Sequence, residues 1–136
     1  MPDTVSFDDI RWQGFPFYSG EFTYEFPVNT TGNRMSVRIP AYRGALIKVA
    51  VDDDEELIAY PPYKTEFAGL SAGKHTVRIT DYVPRSNGFA PLHDMAQYEY
   101  QSPNAWRKPG DRWNYHYRLY CEGLLADPQI KDLTEN

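Results

Sequence analysis

The stretch RSNGFAPLHD, residues 85–94, places Arg85, Asn87, His93 and Asp94 close together, with Gly88 and Pro91 among them. An imidazole, a carboxylate, an amide and a guanidinium can move protons or hold the hydroxyl pairs of a sugar through planar, bidentate hydrogen bonds. Two further residues extend the set. Trp106 stands between Pro103 and Pro109, an indole held in a loop, with Arg107 beside it. An aromatic face packs against the C–H side of a sugar ring while such polar groups reach its hydroxyls. Arg85, Asn87, His93, Asp94, Trp106 and Arg107 are therefore the candidate carbohydrate-binding residues. The plainer reading of the stretch is a brace. On it Gly88 supplies a positive φ, Pro91 stiffens the loop, and Arg85 and His93 hydrogen-bond across it or to a partner domain.

Catalysis is less well served. Glycoside hydrolysis needs two carboxylates about 5–9.5 Å apart across a cleft. Asp81, Asp94, Glu99 and Asp111 have the chemistry, but they read as loop charges paired with backbone or with Arg85, Arg107 and Arg112. A nucleophile would be Ser86 or Cys121, and neither sits in a Gly-x-Ser-x-Gly elbow. His75, His93 and His116 lack the HxxxH or HxH spacing of a zinc site. The acidic run Asp52–Glu56 clusters hard oxygens, yet lacks the alternating Asp loop with its glycine. It reads as a solvated hairpin tip that also keeps an edge strand from pairing. No catalytic residue, no metal and no cofactor are expected of this chain.

The elements that must position these groups read as strands. Phe22, Tyr24, Phe26 and Val28 alternate with polar residues or proline. So do Met35, Val37 and Ile39; Ile47, Val49 and Val51; Val77 and Ile79; and Trp113, Tyr115, Tyr117 and Leu119. Each run predicts a strand with its apolar face inward, which assigns Trp113, Tyr115 and Tyr117 to the core. IRWQGFPFY and ELIAY read as two further short strands. No window shows a helical period. Turn signals at Thr31-Gly32-Asn33, Arg43-Gly44, the acidic run, Pro61-Pro62 and Ser71-Ala72-Gly73 separate the strands. About seven short strands with frequent turns predict an all-β antiparallel sandwich or barrel. The interval from Val83 to Asp111 breaks the rhythm; loops that long in compact domains are usually functional or disordered, and Phe89, Tyr98, Tyr100 and Trp106 argue against disorder. The C-terminal ADPQIKDLTEN reads as running over the surface and then fraying.

Size and charge bound the rest. A chain of 136 residues fits one domain, with an ordered core expected over about 7–130. The formal net charge is −5, and the acidic run accounts for it. With no basic face, neither nucleic acid nor an anionic membrane is an expected partner. No stretch approaches the ~20 apolar residues of a membrane span. The N-terminus has no apolar signal-peptide region. One cysteine, Cys121, cannot form an internal disulfide, which leans towards a cytoplasmic setting.

The order of the pieces resembles a known family. FTYEFPV leads to IPAYRGALIKVAVDD, then YPPY, then GLSAGKHTVRIT with Leu70, Gly73, His75, Val77 and Ile79 in place. This is similar to the galactose-binding-like jelly roll, although Asp52-Asp53-Asp54 replaces the usual Asn-Gly after Val49 and Val51. GFPFYSGEFTYEF, RSNGFAPLH and AWRKPGDRWNYHYRLYCEGLLADPQI resemble the C-terminal β-sandwich of a group of bacterial glycoside hydrolases. The likeness spans residues 10 to about 130. It implies a non-catalytic accessory domain, a piece of the C-terminal part of a larger protein, whose partner is the parent's catalytic domain and whose ligand is carbohydrate. The alternative is a purely structural interdomain or oligomerisation module.

Overall fold

A computed structural model describes residues 2, 4–89, 93 and 113–133. Among the described residues nine strands run in the order β1 (Gly20–Thr30), β2 (Arg34–Arg38), β3 (Tyr42–Arg43), β4 (Ile47–Val51), β5 (Asp54–Ile58), β6 (Lys64–Ala68), β7 (Gly73–Val83), β8 (Gly123–Leu124) and β9 (Gln129–Asp132). A single helical turn, α1 (Ser86–Phe89), follows β7. The strands form a four-stranded sheet ordered β1-β7-β4-β5, a three-stranded sheet ordered β6-β2-β9, and a β3-β8 pair. Every pairing is antiparallel.

The alternation explains the layering. Phe22 and Tyr24 of β1, Ile47, Val49 and Val51 of β4, and Val77 and Ile79 of β7 point from one sheet. Met35 and Val37 of β2 and Phe67 of β6 meet them from the other, in one buried cluster. Each such side chain contributes about 1.5–3 kcal/mol by leaving water. The chain is thus the antiparallel β-sandwich expected from patterning. Pro27 is accommodated because β1 is an edge strand, where a missing N–H is tolerated.

Five local expectations are corrected. IRWQ is a 3-10 turn (Ile10–Gln13), not a strand: Asp9 caps it by accepting from the Arg11 N–H at 3.0 Å, and Gly14 closes it at φ +100°. Residues 114–122 form no ladder beyond a bridge at Trp113, so the expected strand there is an irregular strap. Trp113, Tyr115 and Tyr117 are 37%, 87% and 57% exposed and therefore not core. The C-terminal segment is not a loose tail, since Gln129–Asp132 pairs with β2. Gly88 has no left-handed backbone; it lies within α1, whose turn closes by the Gly88 and Phe89 N–H groups donating to the Arg85 carbonyl.

The acidic run divides as its position in a hairpin requires. Asp52 and Asp53 make the β4–β5 turn, and Asp54–Glu56 lie in β5 at the sheet edge. Asp52 does more than meet solvent. Its carboxylate bonds His75 Nδ1 at 2.6 Å and the Thr76 N–H at 2.9 Å.

Candidate functional site

The strap from Trp113 to Glu122 forms no ladder among the described residues, and side chains fasten it. Asn87 is buried, and its amide serves both polar groups of one residue: Nδ2 donates to the Tyr120 carbonyl at 2.8 Å, and Oδ1 accepts from the Tyr120 N–H at 2.7 Å. His93 Nδ1 donates to the Asn114 carbonyl at 2.8 Å, and the Asn114 N–H returns to the His93 carbonyl at 2.6 Å. A carbonyl can only accept, which sets the proton on Nδ1. Arg11, clamped on Asp9 by Nε bonds of 2.9 and 2.8 Å, donates to the Leu119 carbonyl.

These fasteners hold a row of aromatic rings at the surface. Phe17 meets Tyr117 edge-on at 5.2 Å between ring centres. Tyr117 lies 4.6 Å from the His93 ring, which stacks on Trp113 at 4.3 Å and 15°. Trp113 meets Tyr115 edge-on at 6.4 Å. Phe17, Trp113, Tyr115 and Tyr117 are all exposed. Exposed π faces carry negative charge and attract the positive edges of C–H groups. The row is therefore chemically suited to a sugar ring or to an apolar protein surface. Trp12, 81% exposed, stands apart with the Arg11 guanidinium 5.3 Å over its ring.

At the end of the strap and on β7 is a second, buried group. Asp81 and Glu122 are 0% and 1% exposed, and among the described residues no oxygen of either carboxylate has a hydrogen-bond partner. Burial, reinforced by the charge of Glu122, pushes Asp81 up to about 7. Burial also pushes Glu122 up to about 7, against the pull of Arg43 and Arg11 and with the push of Asp9. Tyr24 is raised to about 12, mainly by burial. Asp9 stays below its ordinary value: burial works against it, but the hydrogen bonds from Arg11 prevail. Both buried carboxylates are sealed from solvent, so neither reaches a sugar in this conformation.

Of the six residues singled out in sequence, the structure brings Asn87 and His93 to the strap and leaves the Arg85 side chain exposed. Asp94, Trp106 and Arg107 lie outside the described residues. Asp81, read in sequence as a loop charge, is instead an inward residue of β7, paired in register with Phe22 and Ile47. Glu122 and the Asp9–Arg11 clamp were not singled out. Among the described residues no three His, Cys, Asp or Glu side chains converge to hold a metal ion.

The class these elements define is an antiparallel β-sandwich. No family model matches the chain, and neither does any curated protein. Among solved structures it is similar to a GH2 β-galacturonidase from Eisenbergiella tayi, solved bound to glycerol and bound to galacturonate. Both comparisons give a TM-score of 0.56 at 17% identity over 94% of this chain. The chain spans only 19% and 20% of those hydrolase chains, so the likeness is of one domain's fold.

Proposed function

We infer that this chain is a non-catalytic accessory domain of a bacterial glycoside hydrolase, and that its aromatic row holds carbohydrate. The observation carrying this reading is the run Phe17–Tyr117–His93–Trp113–Tyr115, four of whose rings are exposed while side-chain hydrogen bonds fix the backbone beneath them. Binding sites for small ligands combine aromatic walls with a few placed polar groups. Arg85 from the preceding loop, and Asp94, Trp106 and Arg107 from residues 90–112, are the proposed polar and aromatic complement. The partner of the domain is the parent's catalytic domain. The pairing of β1 with β7 and of β2 with β6, each pair in a different sheet, supports the jelly-roll form of the sandwich.

Calorimetric titration of wild type, Trp113→Ala and Tyr117→Ala against a panel of oligosaccharides tests the reading. Binding that weakens about tenfold or more in either variant, equivalent to ~1.4 kcal/mol, supports it. Folded wild-type protein that binds no glycan overturns it. The second reading, a purely structural module, then takes its place. It draws on the same exposed apolar surface, which equally suits a protein interface.

A further inference from the structure

Asp81 and Glu122 are buried at a seam between elements distant in sequence. Asp81 points inward from β7, and its carboxylate rests on the backbone of Gly44, where an added Cβ would lie 1.7 Å from Oδ1. Glu122 ends the strap just before β8. Its N–H approaches Asp9 Oδ1 at 3.5 Å, and its carbonyl accepts from the Ile10 N–H at 3.1 Å. The neighbouring titratable groups are Tyr24 on β1, Tyr42 and Arg43 on β3, and Asp9 and Arg11 at the N-terminal turn. β4 presents apolar Ile47 as the register partner of Asp81. Neither arginine bonds to the pair. Arg11 is committed to Asp9 and the Leu119 carbonyl, and Arg43 stands 5.7 Å over the Tyr120 ring.

Two ionised carboxylates without donors cannot both stay in such a place, because an unpaired buried charge loses its hydration without compensation. The geometry points to Asp81 and Glu122 as a proton-dependent latch: neutral, they let the strap close over the core, and ionised, they drive it off and loosen the aromatic row. Each opening releases protons to solvent, up to one from each carboxyl. The raised values of both groups agree with this. In the unfolded chain the two acids ionise near 3.8 and 4.5, whereas the folded state keeps its protons towards about 7. The unfolded chain thus binds fewer protons in that window, so stability falls as pH rises through it and levels off above. Only the effect on carbohydrate rests on the functional reading above; the latch itself does not.

Infrared titration of the carboxyl C=O stretch, paired with hydrogen-exchange protection of the Tyr120 and Leu124 amides, tests the latch. The first amide bonds Asn87 and the second the Tyr24 hydroxyl. In wild type a protonated-carboxyl band should survive above about pH 5, where ordinary carboxylates are ionised, and be lost in D81N/E122Q. Protection of both amides, corrected for intrinsic exchange, should fall as the band disappears, by up to about tenfold per pH unit for each proton released. In D81N/E122Q, which keeps the shape and removes the charge, it should be flat. If the double variant does not fold, the wild-type band, its protection profile and the single variants decide. Three results overturn the latch. One is wild-type carboxyls fully ionised by about pH 5. Another is protection independent of the band. The third is a stoichiometric divalent cation in the purified protein whose chelation lowers protection, since the carboxylates would then be ligands. None of these readouts uses a glycan, so a failure of carbohydrate binding is separately visible.

Discussion

Replacing Asn87 with alanine should unfasten the strap. The side chain is 1% exposed and makes two bonds of 2.8 and 2.7 Å to the carbonyl and N–H of Tyr120. Each bond contributes about 1 kcal/mol net, so their loss costs about 2 kcal/mol. The orphaned Tyr120 groups add a desolvation cost of about 1–3 kcal/mol each where water cannot replace the amide. Tyr120 is 41% exposed, so water recovers part of that cost. The expected destabilisation is then about 2–4 kcal/mol, read as a lower urea midpoint at unchanged slope. Asn87→Asp separates the two bonds. It can still accept from the Tyr120 N–H, but it turns a second oxygen towards the Tyr120 carbonyl, and it should not restore wild-type stability at neutral pH. Asn87→Ala within about 0.5 kcal/mol of wild type would refute the assignment of Asn87 as the fastener, because that is the range of unremarkable surface changes.

Further outcomes follow from other contacts. Asp52→Ala should cost about 1–2 kcal/mol near pH 6, discounted because the Asp52 side chain is 47% exposed. The loss should shrink in alkali, because the Asp52 hydrogen bond raises the His75 value, and that stabilisation is fully present below ~6.5 and is lost as pH rises through the raised value. Gly123→Ala should destabilise by roughly 2–5 kcal/mol in a thermal or urea melt. Its φ is +95°, and a Cβ there would come within 2.7 Å of both an Ile10 methyl and the Tyr24 hydroxyl. Asp132→Ala should lower the melting temperature by releasing the Thr31 and Gly32 N–H groups and the Thr31 hydroxyl. Those bonds hold Asp132 below its ordinary value, so the wild-type advantage should disappear as pH falls through that depressed value.

The strands with several inward residues were legible. β1, β2, β4 and β7 each bury two or more apolar side chains in alternation, and the pattern exposes them. β6 and β9 escaped because each turns few large apolar groups inward: Phe67 in one, half-buried Ile130 in the other. The strap misled for the opposite reason. Trp113, Tyr115 and Tyr117 alternate as in a strand, but alternation reports side-chain order and not the presence of a ladder partner. Asp81 was legible in principle. It shares the inward phase of β7 with His75, Val77, Ile79 and Val83, yet its charge suggested a loop. Glu122 gave no comparable signal, since the fold that buries it is assembled from Asp9, Ile10 and Tyr24, each about a hundred residues away.

The position of β9 has a consequence for synthesis. β2 is the central strand of its sheet, flanked by β6 and β9, and β9 supplies the partners of Met35, Ser36, Val37 and Arg38. During translation β1 to β7 leave the ribosome first. Until residues 129–132 emerge, one side of β2 is an open hydrogen-bonding edge, a template for another chain's strand. The sandwich therefore closes late, through pairings of long sequence separation that form slowly. A nascent chain stalled before Gln129 should aggregate more than the finished domain does.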